Sequence, residues 1–239
     1  AENIERRKET LALLKTVPRN GFTKARYRKL AGPLGFFGEF VADVVANPAD
    51  LFGIADNVVG WAAPDMLHYW NEDSAFGSEV RWKLTDPLAA ALARGDDVML
   101  IAHSLGSLIA YDTLWKFSHY AEYRKIRDRK LQHLVTLGSP LGNPTVQDNL
   151  KGGGLETMRR FPQNIVRWTN VAAEDDYISH DQSVRDDFQA LMGAPARTRI
   201  TDKRIYNLAT SGGRPNQHHG VGYLIHPFVS KTVSEWLTS

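Results

Sequence analysis

A chain of 239 residues with 43% hydrophobic and 23% charged side chains has the length and balance of one globular domain with a substantial core. Its net charge of +2 argues against a dedicated nucleic-acid binder, and the basic clusters at 24–29 and 124–130 read as solvated faces. The lack of cysteine removes disulfides, thiolate catalysis and zinc–cysteine sites together, and no apolar run reaches the ~18 residues of a membrane span.

In chain order, residues 2–16 read as an amphipathic helix that the Pro18-Arg19-Asn20-Gly21 cluster ends. Its charged start, Glu5-Arg6-Arg7-Lys8-Glu9 ahead of Leu11, Leu13 and Leu14, lacks the long apolar region of a signal peptide. Leu34 to Val45 is rich in Phe, Val and Leu, and Leu51 to Leu67 continues with apolar turns punctuated by Gly and Pro. Residues 1–75 are thus expected to be helical, as plain core or as a cap over a ligand pocket. Val80, Leu84, Leu88 and Leu92 recur every four residues and predict a helix from Ser78 to Arg94, kinked or restarted at Asp86-Pro87 and closed by Gly95.

The stretch that organises the rest follows. Val98 to Ala102 is an unbroken apolar run, as expected of a parallel strand buried on both faces. Leu105, Leu108, Ile109 and Leu114 then fall at helical spacing, so strand turns to helix at Ser104. A serine at that corner, with small residues two positions before and after it, has the form of a nucleophile elbow. Here the pattern reads Ala102-His103-Ser104-Leu105-Gly106. Such a turn lifts Oγ into the open, and the N–H of Leu105 faces the place where an oxyanion would form, at the positive end of the new helix. Further strands are predicted over Leu131–Leu137, Ile165–Val171 and Arg204–Ala209, with a helix over Asp181–Met192 and a last one from Pro227. This alternation argues for an α/β fold, a mostly parallel sheet with helices on both faces, formed as a single domain over 1–239 with its core in 76–239.

Val98 to Trp115 resembles the nucleophile region of α/β-hydrolases of the lipase and esterase type, and Thr136-Leu137-Gly138-Ser139-Pro140 resembles the strand end that follows it. The resemblance runs from about Phe40 to the C-terminus. It implies the order nucleophile, acid, histidine, which removes His68, His103, His119 and His133 as the base. Trp168 to Ile178 is similar to a W-x-N…D-x-V/I pattern that selects Asp176 as the acid, with Asp175 as the runner-up. Residues 218–224 are similar to an H-x-x-x-G-Y-L segment that selects His218 as the base, with His219 as the alternative, while His226 suits a capping or packing role. The expected enzyme is a cofactor-free, metal-free serine hydrolase that cleaves a small-molecule or lipid carboxylic ester through Ser104, His218 and Asp176 with Leu105 in the oxyanion hole. Thioester hydrolysis and acyl transfer use the same constellation, and a catalytically silent hydrolase-fold scaffold is the reading from another class.

Two absences shape the last expectation. No strand is evident before Val98, and no HG-containing loop offers a second oxyanion N–H. A sheet built only from the four predicted strands would leave the nucleophile strand at an edge, so further N-terminal strands, lost from the chain or carried by a second polypeptide, are expected beside it.

Overall fold

The computed structural model describes residues 2–31, 59–179, 183–211 and 214–239. The apolar stretch Leu34–Val45, the first part of Leu51–Leu67, Asp181 and the Gly212-Gly213 pair lie outside the described residues. The chain is α/β, a four-stranded parallel sheet with helices, and it divides into two compact units. A sheet unit comprises residues 63–172 and 179–203; a terminal unit comprises 1–62, 173–178 and 204–239. Among the described residues no helix is long and apolar enough to cross a membrane.

Only helices precede the first strand among the described residues: α1 (Glu2–Lys15), α2 (Lys24–Ala31), α3 (Val59–Trp70) and α4 (Phe76–Arg94). Of the expected kink or restart at Asp86-Pro87, the restart does not occur: α4 runs through Pro87. Proline there removes a bond to the carbonyl of Lys83. Lys83, Asp86 and Pro87 are all exposed, so water can satisfy that carbonyl. Gly95 ends the helix at φ +85°, its N–H donating to Leu92 O at 3.0 Å, a conformation that a residue with a Cβ resists.

The sheet then assembles in the order β1 (Met99–His103), β2 (Leu131–Leu137), β3 (Ile165–Ala173), β4 (Arg199–Ile205). β1 pairs parallel with β2 and β2 with β3, with Ala102 opposite Thr136 and Thr136 opposite Asn170. Between β1 and β2 runs α5 (Leu105–His119), almost wholly buried from Ser107 to Ser118. Leu108, Leu114, Phe117, Leu134, Leu137 and Trp168 are all fully buried and form the heart of this unit's core.

One line of polar side chains in the sheet unit is paired end to end. Trp168 Nε1 donates to Thr136 Oγ1, Thr136 Oγ1 to Asn170 Oδ1, and Asn170 Nδ2 to Asp202 Oδ1, at 2.9, 2.9 and 3.0 Å, a chain crossing β2, β3 and β4. Asp202 also accepts from the N–H groups of Val184 and Arg185 at 3.0 and 3.1 Å. Two departures from expectation lie in this region. Residues 185–188 form turns followed by a short 3-10 turn at Gln189–Met192, in place of the expected helix over Asp181–Met192, and Asp202 holds this loop through the Val184 and Arg185 amides. The strand is β4 at Arg199–Ile205, not Arg204–Ala209: Leu208 and Ala209 are buried as well, but past the strand end, where they pack with Leu14 and Tyr27 in the terminal unit. A buried acid, Asp112 on α5, accepts from the Tyr69 hydroxyl at 2.7 Å and from Lys151 N–H at 2.8 Å, tying α3 and the loop after α6 (Pro144–Asn149) to α5. Burial pushes its carboxyl up.

β1 is the end strand of the sheet among the described residues, and Met99, Leu100 and Ile101 are only half-buried. Ser104 N–H donates to Leu137 O and His133 N–H to Val98 O, so the amides of Leu100 and Ala102 face β2 while those of Met99 and Ile101 face away. Hydrogen exchange on the 239-residue chain should therefore be at least about tenfold slower at Leu100 and Ala102 than at Met99 and Ile101. Equal protection of all four would mean that another strand pairs on the outer side.

The terminal unit places α1 and α2 with a two-stranded antiparallel ribbon, β5 (Thr210–Ser211) and β6 (Arg214–Pro215), and with α7 (Gly220–Ile225) and α8 (Pro227–Leu237). Leu14 and Tyr27 pack with Leu208 and Ala209, flanked by Val17, Phe22, Tyr206 and Val221. The Thr10 hydroxyl donates to Thr210 O at 2.9 Å.

Candidate active site

The sequence-predicted residues fall in both units: Ser104 and Leu105 in the sheet unit, Asp176 and His218 in the terminal unit. Ser104 leaves β1 with φ +55° and ψ −131°, outside the regions that side-chain-bearing residues occupy at low cost. Such a backbone costs on the order of 1–3 kcal/mol and persists only where its surroundings over-determine it. They do so here from both sides of the residue. Ser104 N–H extends the β1–β2 ladder to Leu137 O at 3.0 Å, and Ser104 O accepts from Ser107 N–H at 2.9 Å and from Ser107 Oγ at 2.5 Å. Ser107 Oγ is in turn 2.7 Å from Ser139 Oγ, whose other role is to accept from Leu141 N–H. The Gly138-Ser139-Pro140 segment at the end of β2 thus braces the corner through Ser107. Leu105 is the first residue of α5, where a backbone N–H has no acceptor within the helix. Gly106 needs no steric excuse: a Cβ there meets no heavy atom within 4 Å among the described residues.

In the terminal unit, Asp176 and His218 come together from loops 42 residues apart. His218 Nδ1 lies 3.0 Å from Asp176 Oδ2 and 3.1 Å from Oδ1. A carboxylate can only accept, so Nδ1 carries the proton and the imidazole of the neutral ring keeps Nε2 as its basic nitrogen. Asp176 is 2% exposed. Burial alone would raise its pKa, but the His218 hydrogen bond and charge, the Tyr223 hydroxyl and Ile178 N–H outweigh it and hold the carboxyl below its ordinary value. Tyr223 is fully buried and works in both directions, donating to Asp176 Oδ2 at 2.5 Å and accepting from Ala173 N–H at 2.8 Å. Its position in the G-Y-L run was the one signal in the sequence for this role.

The loop that carries His218 is held from behind by Asn207. Its Nδ2 donates to Gln217 O at 2.8 Å and to His219 O at 3.1 Å, the carbonyls on either side of His218. Asn207 fits only because residue 222 is glycine, since a Cβ there would run into the Asn207 side-chain amide. Gly222→Ala should therefore lower thermal stability by about 1–3 kcal/mol of overpacking. Melting curves check it, and a variant as stable as the parent would remove Asn207 from the account.

The other histidines have separate employment. His219 Nδ1 accepts from Val221 N–H at 3.2 Å and caps α7; His226 Nδ1 accepts from Phe228 N–H at 3.2 Å and caps α8. His119 Nε2 is 2.8 Å from Phe161 O, and His133 Nε2 is 2.9 Å from Thr169 Oγ1, with burial lowering the His133 pKa to about 4. His68 stacks edge-on against Phe76, and His103 closes β1 half-buried. Asp175 is not on His218 in any described bond; its carboxylate accepts from Tyr27. Among the described residues no group of three or more His, Asp or Glu side chains could hold a metal ion. No protein-family model matches the chain, and neither a curated protein nor a solved structure does.

Proposed function

We propose that the chain is a serine hydrolase of the α/β-hydrolase type that cleaves a carboxylic ester. The observation that carries the reading is the Asp176–His218 pair: a buried, ionised carboxylate fixing one nitrogen of a half-buried imidazole so that the other can take a proton. The strained Ser104 at a strand-to-helix corner supports the nucleophile. In this reading Ser104 Oγ attacks the ester carbonyl carbon while His218 Nε2 takes the hydroxyl proton. The tetrahedral oxyanion accepts from Leu105 N–H and feels the positive end of α5. Collapse expels the alcohol, which receives its proton from His218, and leaves the acyl group on Ser104. Water then attacks the acyl-enzyme with His218 again as base, and the carboxylic acid leaves. Asp176 keeps its negative charge throughout and stabilises the imidazolium.

Rapid mixing with an activated aryl ester tests this. The expected trace is a burst of phenolate stoichiometric with enzyme, then a slower steady state set by deacylation. Absence of both burst and turnover, with the chain folded, would sink the reading.

A further inference from the structure

The acid turn and the base loop are joined a second time, one residue back along each segment. Asp175 precedes Asp176, and Gln217 precedes His218. Between them sits the hydroxyl of Tyr27, donating to Asp175 Oδ2 at 2.7 Å and accepting from Gln217 Nε2 at 3.0 Å. The bridge Asp175–Tyr27–Gln217 therefore runs alongside the Asp176–His218 bond, and its middle member comes from α2, 148 residues away in sequence from the acid turn.

Each member is built for a fixed place. Tyr27 is 4% exposed, packed with Leu14 and Leu208 and with its ring centroid 5.9 Å from that of Tyr206. Burial and the bond to the Asp175 carboxylate raise the hydroxyl's pKa well above its ordinary value, so it stays a donor at any working pH. Asp175 holds φ +62°, in the left-handed region, while Glu174 N–H is pinned to Ile205 O at 2.9 Å. Two adjacent carboxylates thus keep different partners, and Gln217 is restrained both by Tyr27 at its side chain and by Asn207 at its carbonyl.

We propose that Tyr27 is a positioning residue: its hydroxyl sets the spacing between the acid turn and the base loop, and so keeps His218 Nδ1 on Asp176. The consequence for turnover rests on the hydrolase reading, but the geometry is measurable without it. The experiment compares the full chain with Tyr27→Phe, which keeps the packed ring and removes only the hydroxyl. One readout is solvent exchange of the low-field His218 Nδ1 proton by NMR; the other is kcat and KM for an aryl ester.

The expected result is proton exchange at least about tenfold faster, and kcat lower by about 10–100-fold with KM within about twofold. Gln217→Met should give a similar loss, and the double variant should lose little more, because both substitutions cut one bridge. Unchanged proton exchange, a rise in KM alone, or fully additive losses would overturn the role given to Tyr27. Should Tyr27→Phe prove poorly folded, Gln217→Met decides by the same criteria, since it leaves Tyr27 and its apolar neighbours unchanged. A parent chain that shows the slow proton but no ester turnover would defeat the hydrolase reading, while the exchange rates would still decide the inference.

Discussion

Replacing Ser104 with alanine should lower ester turnover by about 10⁴-fold or more, the loss expected when the nucleophile of a concerted triad is removed. The fold should survive, because the bonds that define the corner use the backbone of residue 104 and not its side chain. Alanine keeps a Cβ and so keeps the strain of φ +55°. Glycine does not, and Ser104→Gly should be more stable than Ser104→Ala by about 1 kcal/mol even though both are inactive. Denaturant midpoints measure that difference. An alanine variant retaining a tenth of the parent rate would take the nucleophile away from Ser104, and equal midpoints would take the strain away from the corner.

His218→Ala should be nearly as damaging as the serine change, because the oxygen of Ser104 is a weak nucleophile without a base. Asp176→Asn should cost about 10³–10⁴-fold. An asparagine NH₂ facing Nδ1 favours the tautomer with the proton on Nε2, which removes the basic nitrogen while leaving the loop in place. The same substitution has a signature in stability. The native carboxyl titrates below its unfolded value, so its contribution is present above about pH 4 and is lost as pH falls through the native pKa. The gap in stability between parent and Asp176→Asn should therefore hold across neutral pH and narrow in acid. Full activity in His218→Ala with loss in His219→Ala would hand the base to the neighbour that now caps α7.

How much of this the sequence disclosed depends on how local the cause was. β2 was legible to the residue because Leu131–Leu137 is a short, apolar-rich run buried at nearly every position. The elbow was legible because two periodicities meet at one serine. The start of the 183–192 loop is held by a residue that no local pattern points to: Asp202, 18 positions beyond Val184, takes the Val184 and Arg185 amides. β4 was displaced by several residues because RITDKRI buries only its two isoleucines and carries charge between them. Asp176 and His218 were chosen by resemblance and chain order, and they do meet. Tyr27 could not be found that way: nothing in Lys24-Ala25-Arg26-Tyr27-Arg28-Lys29 distinguishes a surface tyrosine from one that reaches Asp175. Its role exists only once 148 intervening residues have folded.

The central claim is that Ser104 is activated by His218, and a fluorophosphonate tests it most directly because phosphonylation needs an activated serine and no particular substrate. The chain should take up one equivalent, mapped by mass spectrometry to the peptide containing Ser104. Labelling should slow by about 10²-fold or more in His218→Ala, where the hydroxyl keeps its proton. A folded parent chain that takes up no label, or labels as fast without His218, would contradict the account.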